Sequence, residues 1–251
     1  MGSGKLDNID MITDQNLTHW TSRPFQETKS YPLNIIPGLG ASPDMYPKIA
    51  SVYDEEFDSA TLDAKWTVAA GGASIYDVNT TWPSYIYCVP DKSLNYYVDL
   101  DQNITTTSTY SMTAKFVTSI GAADHCMLYL YQSGTWYHMT RWSVGTSGNN
   151  SSVVYSHRKG GAADDTIAVD LYKKPNQLYL HIQKDSAVND YYSSWFSFNG
   201  MSWIRSDYFN MTNAFAPTYI RLRMGNSSAG AKATNTYCGC DWFRFNWTFM
   251  N

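Results

Sequence analysis

Side chains with the chemistry of an enzyme are few in this sequence, and they are scattered. Five histidines occur without a His-Glu-x-x-His motif, and the chain has neither a Gly-x-Ser-x-Gly nucleophile motif nor a glycine-lysine loop for phosphate. The stretch "SHRK" at 156–159 matches Ser-x-x-Lys by count, but a lone match in a basic turn is best explained by chance. Cys238 and Cys240 lack the second Cys/His pair of a zinc finger, so the sequence does not favour a zinc site.

Tyrosine and arginine offer a different chemistry, because they alternate with aliphatic residues in several short runs. In "CMLYLYQ" (126–132) the leucines point one way and the tyrosines the other, and in "YIRLRMG" (219–225) the arginines oppose the aliphatic residues. A sheet of such strands has an apolar inner face and an aromatic, basic outer face. The outer face is predicted to carry six candidate contact residues, Tyr129, Tyr131, His181, Tyr192, Arg221 and Arg223.

Two functions fit this outer face. Exposed aromatic rings can stack on a sugar ring while polar groups bind its hydroxyls, which would make the face a carbohydrate-binding site. Subunit interfaces are also rich in tyrosine, tryptophan and arginine, so the same residues could contact a second copy of the chain or a larger assembly. The sequence alone leaves both alternatives open.

The elements that must position these residues are predicted to be short β-strands. Runs of strand-forming residues recur from residue 51 onward, and turn signals such as Gly160-Gly161 and Asn199-Gly200 separate them. The predicted strands are 84–89, 110–117, 126–132, 135–143, 152–158, 166–172, 178–185, 190–198, 219–225 and 241–247. So many short strands with little helical periodicity indicate an all-β sandwich or barrel.

Composition and charge narrow the range of partners. Charged residues make up 16% of the chain and aromatic residues another 16%, which is typical of strands and polar turns. The net charge of −4 provides no basic field for a nucleic-acid backbone, so we expect no nucleic-acid partner. No apolar run is long enough for a signal-peptide core or a membrane span. We therefore expect synthesis in the cytoplasm, no membrane insertion and reduced cysteines.

The first fifty residues differ from the rest of the chain. Prolines interrupt every short apolar group there, so neither a helix nor a central strand is expected. A segment with so little core of its own becomes ordered only when it is tied down. We expect residues 1–50 to form an extended arm that anchors the chain to another protein, and residues 51–251 to form the sandwich.

Three stretches, in their order along the chain, resemble the concanavalin A-like lectin/glucanase superfamily. They are "YDEEFDSATLDAKWTV" (53–68), "LYLHIQKDSAVNDYYSSWFSFNGMSWIRS" (178–206) and "PTYIRLRMGNSSAGAKATNTYCGCDWFRFN" (217–246). They are similar to the opening strand, a central strand pair and the closing pair of that superfamily, above all in the non-catalytic modules of β-xylosidase-like glycosidases. The resemblance implies an antiparallel two-sheet jelly-roll sandwich.

The resemblance also sets expectations for the carboxylates. Catalytic glucanases of the superfamily carry a Glu-x-Asp-x-x-Glu strand, because retaining hydrolysis needs two carboxyl groups about 5 Å apart. This sequence lacks that motif, and its acidic cluster "DEEFD" (54–58) falls in the opening strand, so we expect no enzymatic activity. Many members hold a structural Ca²⁺ between the opening and closing strands, which implies Glu56 and Asp241 as its ligands here.

A sandwich of this kind that lacks a leader and follows an extended arm is similar to structural proteins of bacteriophages and other viruses. We therefore predict a non-enzymatic virion structural protein on the particle surface, as capsid decoration, head fibre or tail-associated protein. Its arm would bind other virion proteins, its copies would form a homo-oligomer or join a lattice, and its outer face would bind surface glycans. A stand-alone lectin is the alternative function, and a glycoside hydrolase is a third hypothesis.

Overall fold

In a computed structural model, the described part of the chain runs from residue 51 to residue 245 with internal gaps. The described residues are 51–70, 76–79, 84–88, 97–105, 109–118, 124–144, 151–161, 165–171, 175–185, 190–211, 215–226 and 238–245. They contain fourteen β-strands and no helix. The strands are β1 (Trp66–Ala70), β2 (Tyr76–Val78), β3 (Ile86–Cys88), β4 (Tyr97–Asn103), β5 (Tyr110–Thr118), β6 (Asp124–Ser133), β7 (Trp136–Val144), β8 (Ser151–Arg158), β9 (Asp165–Leu171), β10 (Gln177–Lys184), β11 (Tyr191–Ser197), β12 (Ile204–Asn210), β13 (Tyr219–Asn226) and β14 (Cys238–Phe245).

The strands form two antiparallel sheets of seven strands each. Sheet 1 has the order β1-β4-β13-β6-β7-β8-β9, and sheet 2 has the order β12-β11-β10-β5-β14-β3-β2. Both sheets contain hairpin neighbours, such as β6 and β7, and pairs that are distant in sequence, such as β4 and β13. The expected all-β, two-sheet antiparallel jelly-roll sandwich is confirmed.

The core lies between the sheets and takes one face of each strand. Leu128 and Leu130 of β6 and Ile220 and Leu222 of β13 are fully buried, as their alternation predicts. They pack in one large cluster with side chains of sheet 2 such as Phe116. Burying a side chain of this size contributes about 1.5–3 kcal/mol. The cluster therefore holds the sheets face to face and leaves their outer faces for other roles.

The residues before β1 tie the start of the described sandwich to its closing strand. Glu55 and Phe243 of β14 exchange two backbone hydrogen bonds of 2.9 Å. The Glu55 carboxylate accepts a hydrogen bond from the Trp66 indole at 3.2 Å, and Asp54 accepts one from the Phe245 amide at 2.7 Å. Two carboxylates of the acidic cluster thus join the two ends of the described chain.

Two histidines lie between the sheets at the end formed by β7, β8, β11 and β12. His138 of β7 is fully buried, and its Nε2 lies 2.6 Å from the Ser194 hydroxyl of β11. The Phe209 ring of β12 packs against both His138 and His157, with centroid distances of 4.2 and 4.4 Å. Burial, and then the neighbouring His157, hold the pKa of His138 well below its usual value. His138 is therefore neutral at physiological pH.

The four cysteines, Cys88, Cys126, Cys238 and Cys240, are all buried. Cys88 of β3 lies directly opposite Cys238 of β14. A Cβ atom on Gly239 would lie only 2.7 Å from the Ile86 carbonyl oxygen. Glycine is thus required where β14 pairs with β3, and the "CGC" stretch is a strand segment fitted to its neighbour.

Each predicted strand overlaps an observed one, and β1 begins within the stretch 53–68 that resembles the opening strand. Three observed strands, β2, β4 and β12, have no counterpart among the predictions. The expected arm at 1–50 lies outside the described residues. Within the described ranges, no helix is long and apolar enough to cross a membrane.

Candidate functional site

Outward side chains of four neighbouring strands of sheet 1, β4, β13, β6 and β7, form a surface rich in tyrosine and arginine. We call it the tyrosine–arginine face, and its residues are Tyr97, Asp99, Asp101, Tyr129, Tyr131, Tyr137, Tyr219, Arg221 and Arg223. They alternate with core residues, as a pleated strand requires. Met127 and Met139 pack with Tyr129 in a small apolar cluster of their own, which supports the surrounding half-buried rings and arginines.

Opposite charges face each other across β4 and β13. Asp101 lies opposite Arg221, and Asp99 lies opposite Arg223. Arg221 donates two hydrogen bonds to Asp101 at 2.6 and 2.8 Å, and Arg223 donates two to Asp99, both at 2.6 Å. Arg221 also reaches Asp99 at 3.2 Å, so the four groups form one network. Bidentate pairs of this kind are strong and fix the geometry of both partners.

A row of three tyrosines crosses the face beside this network. Tyr219 of β13 lies opposite Tyr131 of β6, which lies opposite Tyr137 of β7. The ring centroids of Tyr131 and Tyr219 are 4.7 Å apart, and the rings of Tyr131 and Tyr137 are nearly parallel with centroids 6.3 Å apart. The three rings therefore stand in line across three adjacent strands.

The guanidinium groups also lie over tyrosine rings. Arg221 is 4.9 Å from the centroid of Tyr131, and Arg223 is 4.1 Å from the centroid of Tyr97. These are cation–π distances, at which the negative face of the ring attracts the cation. Each arginine thus contacts both a carboxylate and a tyrosine ring. This double contact restricts the motion of the rings as well as of the arginines.

The pKa values of Arg221 and of two tyrosines of the face, Tyr129 and Tyr219, are raised. Burial lowers the pKa of Arg221, but its hydrogen bonds with Asp101 and the charges of Asp99 and Asp101 raise that pKa above its usual value overall. Burial is the largest cause that raises the pKa of Tyr219 to about 12, and burial also raises the pKa of Tyr129. At neutral pH, Tyr129 and Tyr219 therefore carry neutral hydroxyl groups.

This arrangement suits binding better than acid–base catalysis. Both oxygens of Asp99 and both oxygens of Asp101 accept hydrogen bonds from a guanidinium group. Neither carboxyl is arranged to protonate a leaving group or to attack a sugar carbon, which are the two tasks of glycosidase carboxylates. The rings and hydroxyl groups of the tyrosines remain as contact groups, and ligand sites combine such apolar surfaces with a few placed polar groups.

Four of the six residues expected on the outer face come together here, namely Tyr129, Tyr131, Arg221 and Arg223. The structure corrects the position of the other two. Tyr192 of β11 points into the core, where its hydroxyl lies 3.0 Å from that of Tyr110, because Ser193 and Trp195 take the outward positions of that strand. His181 faces outward but belongs to sheet 2, on the opposite side of the sandwich.

His181 is fully buried on its own sheet. Its Nδ1 lies 2.7 Å from the Thr113 hydroxyl of β5, and its ring lies 5.6 Å from the Trp203 ring. Burial is the main cause that lowers the pKa of His181 to about 3, while the Gln183 side chain opposes the shift. His181 is therefore a neutral member of a packed aromatic group.

The two expected calcium ligands each bind a cationic side chain. Glu56 lies 2.7 Å from the Arg244 guanidinium of β14, and Asp241 lies 2.8 Å from the Lys115 ammonium of β5. Across the part of the chain that the structure describes, no three side chains of His, Cys, Asp or Glu are grouped to hold a metal ion. The calcium ion stays a prediction, and these contacts give both carboxylates another structural role.

The acidic half of the charge network is absent from the residues selected by sequence. The stretch "YVDLDQN" (97–103) alternates acidic and aliphatic residues with the same period as the basic and aliphatic residues of "YIRLRMG" (219–225). Complementary charges at the strand period favour pairing of two strands. This match is the signal that could have placed Asp99 and Asp101 opposite the arginines.

Solved structures share this architecture. The GH43 protein BlXynB of Bacillus licheniformis matches with a TM-score of 0.61 and 16% identity, over 80% of this chain and 40% of its own length. A bifunctional GH43-CE protein of Bacteroides eggerthii matches with a TM-score of 0.62 and 14% identity, over 82% of this chain and 27% of its own. A β-glucanase of Bacillus licheniformis matches with a TM-score of 0.56 and 12% identity, over 80% of this chain and 100% of its own.

The fold is a concanavalin A-like sandwich. Its structural neighbours include glycoside hydrolases, at identities that show the fold alone. The chain spans less than half the length of the GH43 proteins that it matches. No protein-family model matches the chain, and no curated protein matches it by sequence.

Proposed function

We propose that this chain is a non-catalytic carbohydrate-binding protein and that the tyrosine–arginine face holds the sugar. The row of Tyr219, Tyr131 and Tyr137 carries the proposal, because three rings in line offer stacking surface to successive sugar rings. The arginine–aspartate network supports it, since contacts that are already fixed lose little conformational entropy when a ligand binds. The carbohydrate-related fold of the neighbours is a second support.

A subunit interface is the other role considered for this face, and the charge network argues against it. Arg221 and Arg223 already bind carboxylates of their own chain through paired hydrogen bonds. Stable interfaces also have an apolar centre. The exposed large apolar residues of the described ranges all lie elsewhere, at Val52, Ile167, Phe198, Ile204 and Tyr208. A ligand rich in hydroxyl groups fits this face better than a protein surface.

The test is calorimetric titration of the intact protein with soluble xylan, xyloglucan and β-glucan. We expect saturable binding to at least one of them. Tyr131→Ala removes the central ring of the row, and truncation of a central aromatic contact should weaken binding about tenfold or more.

Phe198→Ala is the matched control, because it removes an exposed aromatic side chain outside the face. It should bind as the unaltered protein does, and thermal unfolding of both variants shows whether they are folded. The proposal fails if none of the three polysaccharides binds, or if folded Tyr131→Ala binds as tightly as the unaltered protein.

The non-catalytic part of the proposal has a separate test. The three polysaccharides are incubated with the protein, and new reducing ends are counted. We expect none, because Asp99 and Asp101 are engaged by arginines. Release of reducing ends that disappears in folded Asp99→Asn would instead make the protein a hydrolase with its centre on this face.

The virion location remains a separate prediction. It rests on the proline-rich arm at 1–50, which lies outside the described residues, and on the resemblance stated for the sequence. Deleting residues 1–50 should prevent incorporation of the protein into particles. Incorporation of the truncated protein would contradict the anchoring role, whatever the result of the binding experiments.

A further inference from the structure

The opposite side of the sandwich carries another group of aromatic and charged side chains, at the edge of sheet 2. On the outward side of β10, β11 and β12, Gln183, Ser193 and Tyr208 form one row, and Trp195 and Arg205 lie opposite each other in the next. Tyr208 is 52% exposed, and Arg205 is exposed as well. The tyrosine–arginine face lies on the other sheet, so this group is independent of it.

A β-bulge in β12 decides which side chains share this surface. Ser194 and Trp195 of β11 pair with Asp207 and Arg205 of β12, which leaves Ser206 as an extra residue. The Ser206 hydroxyl donates a hydrogen bond to the Ser194 carbonyl at 2.7 Å and so fixes the bulge. Bulges often occur where they re-aim a side chain beside a functional site.

As a result, Arg205 and Tyr208 point the same way although they are three residues apart, whereas regular alternation would separate them. The Arg205 guanidinium lies 5.6 Å from the centroid of Tyr208 and 5.7 Å from that of Trp195. Tyr191 packs nearly parallel to Tyr208, with centroids 5.1 Å apart. Within the described residues, no carboxylate forms an ion pair with Arg205. Rings therefore hold this arginine while its hydrogen-bond donors stay open.

A half-buried carboxyl completes the group. Asp185 follows β10, and its amide donates a hydrogen bond to the Tyr191 carbonyl at 2.9 Å. Ser193 and Gln183 hydrogen-bond to its side chain, yet its Oδ2 is buried without a hydrogen-bond partner in the described part of the chain. Burial raises the pKa of Asp185, against the lowering effects of Ser193 and Arg205. The group thus places a partly buried carboxyl near the exposed Arg205.

We propose that this group is a second binding site and that its ligand is an acidic saccharide with a carboxylate on the sugar ring. The Arg205 fork binds the ligand carboxylate through two parallel hydrogen bonds. The sugar ring packs on Tyr208, which Tyr191 supports from behind. A neutral sugar would leave the donors of Arg205 unused, and a small inorganic anion would leave the Tyr208 ring unused.

The test is calorimetric titration of the full chain with trigalacturonate, and its methyl ester is the matched neutral probe. The acid should bind about tenfold more tightly than the ester, because only the acid forms the charge-assisted pair. That advantage should shrink as salt is added, since Arg205 is exposed. Arg205→Gln should abolish it, whereas Lys159→Gln removes the same charge at another place and should preserve it.

Equal binding of acid and ester overturns the proposal, and so does a preference for the acid that survives Arg205→Gln. Light scattering on the same samples tests the alternative that a second copy of the chain binds this surface. Absence of saccharide binding together with a change of oligomeric mass in Arg205→Gln would assign the group to an interface between copies. The two proposals fail separately, because Tyr131→Ala reports on neutral polysaccharide and Arg205→Gln reports on the difference between acid and ester.

Discussion

The two outer faces use arginine in opposite ways. On sheet 1, Arg221 and Arg223 lie over tyrosine rings and bind carboxylates of β4. On sheet 2, Arg205 also lies beside aromatic rings, but the neighbouring strand β11 places Ser193 and Trp195 near it instead of acids. The ring contacts are alike, and the strand next to each arginine makes the difference.

This difference shows that neither the residue type nor the contacts with aromatic rings determine the role of an arginine. An arginine that donates paired hydrogen bonds to a carboxylate of the adjacent strand stabilises the pairing of the two strands. An arginine that only rings contact, as Arg205 does among the described residues, has no carboxylate bound to its hydrogen-bond donors. The comparison predicts that the free energy of unfolding responds differently to mutation, to pH and to pairwise substitution on the outer faces of sheet 1 and sheet 2.

The largest effect is expected from Asp99→Ala on sheet 1. Asp99 is 1% exposed, and its removal leaves Arg223 as a poorly solvated charge without its partner. Breaking a buried pair in this way costs about 3–5 kcal/mol, which urea unfolding would measure. Asp170→Ala, at an exposed position of β9, should change the free energy of unfolding by less than about 0.5 kcal/mol. Similar values for the two variants would contradict the structural role of the network.

A pH titration of stability should give the next largest effect, and it should come from histidines outside sheet 1's charged network. The pKa of His181 is about 3 in the folded protein, against about 6.5 in an unfolded chain. The unfolded state therefore binds the proton first as the pH falls, so stability is lost between about pH 6.5 and pH 3. Each such histidine contributes about 1.4 kcal/mol per pH unit in that window.

The measurement is urea unfolding at several pH values from 7 downward. His181→Gln should reduce the slope by about one proton's contribution, and His138, whose pKa is also lowered, should account for a further share. An unchanged slope in folded His181→Gln would mean that this histidine is not held neutral.

A smaller effect separates the two kinds of arginine directly. In a double-mutant cycle, Asp101→Asn and Arg221→Gln should show a coupling energy of about 1.5 kcal/mol, because their contact is a charge-assisted hydrogen-bonded pair. The same cycle with Arg205→Gln and Tyr208→Ala should give about 0.5 kcal/mol, as expected for an exposed cation–π contact. Equal coupling energies would remove the distinction.

The smallest effect is expected from Arg205→Gln alone. Because Arg205 is exposed and binds no carboxylate among the described residues, its loss should change the free energy of unfolding by less than about 0.5 kcal/mol. Thermal or urea unfolding measures this. A loss above about 1 kcal/mol would show that Arg205 supports the sheet, as Arg221 does.

Alternation predicted the inner and outer sides of β6 and β13 correctly, because a slip by one residue would turn leucines such as Leu128 to solvent. It failed for β11. There, Tyr191 and Tyr192 stand side by side in "DYYSSWFSF", so the pattern does not tell which tyrosine faces the core. For His181 the outward direction was right, but which sheet a strand joins depends on pairings across the whole chain.

Two other features were hidden for different reasons. Aspartate is depleted in strands, so Asp99 and Asp101 weaken the strand signal of β4. The reason for these aspartates becomes visible only when β4 is paired with β13. The bulge at Ser206 leaves no mark in the sequence, and strict alternation would assign Arg205 and Tyr208 to opposite faces. Local pattern thus identifies strands and core sides, while the sites depend on which strands become neighbours and where the alternation breaks.

The charge network between β4 and β13 also bears on how the chain folds. Asp101 and Arg221 are 120 residues apart in sequence, and chains with many such distant pairings fold slowly, over milliseconds to seconds. A slip of β13 by two residues would leave one aspartate and one arginine without an opposite partner, and a slip by one would turn the charges into the core. The alternating charges therefore specify both the partner strand of β13 and the register in which it pairs.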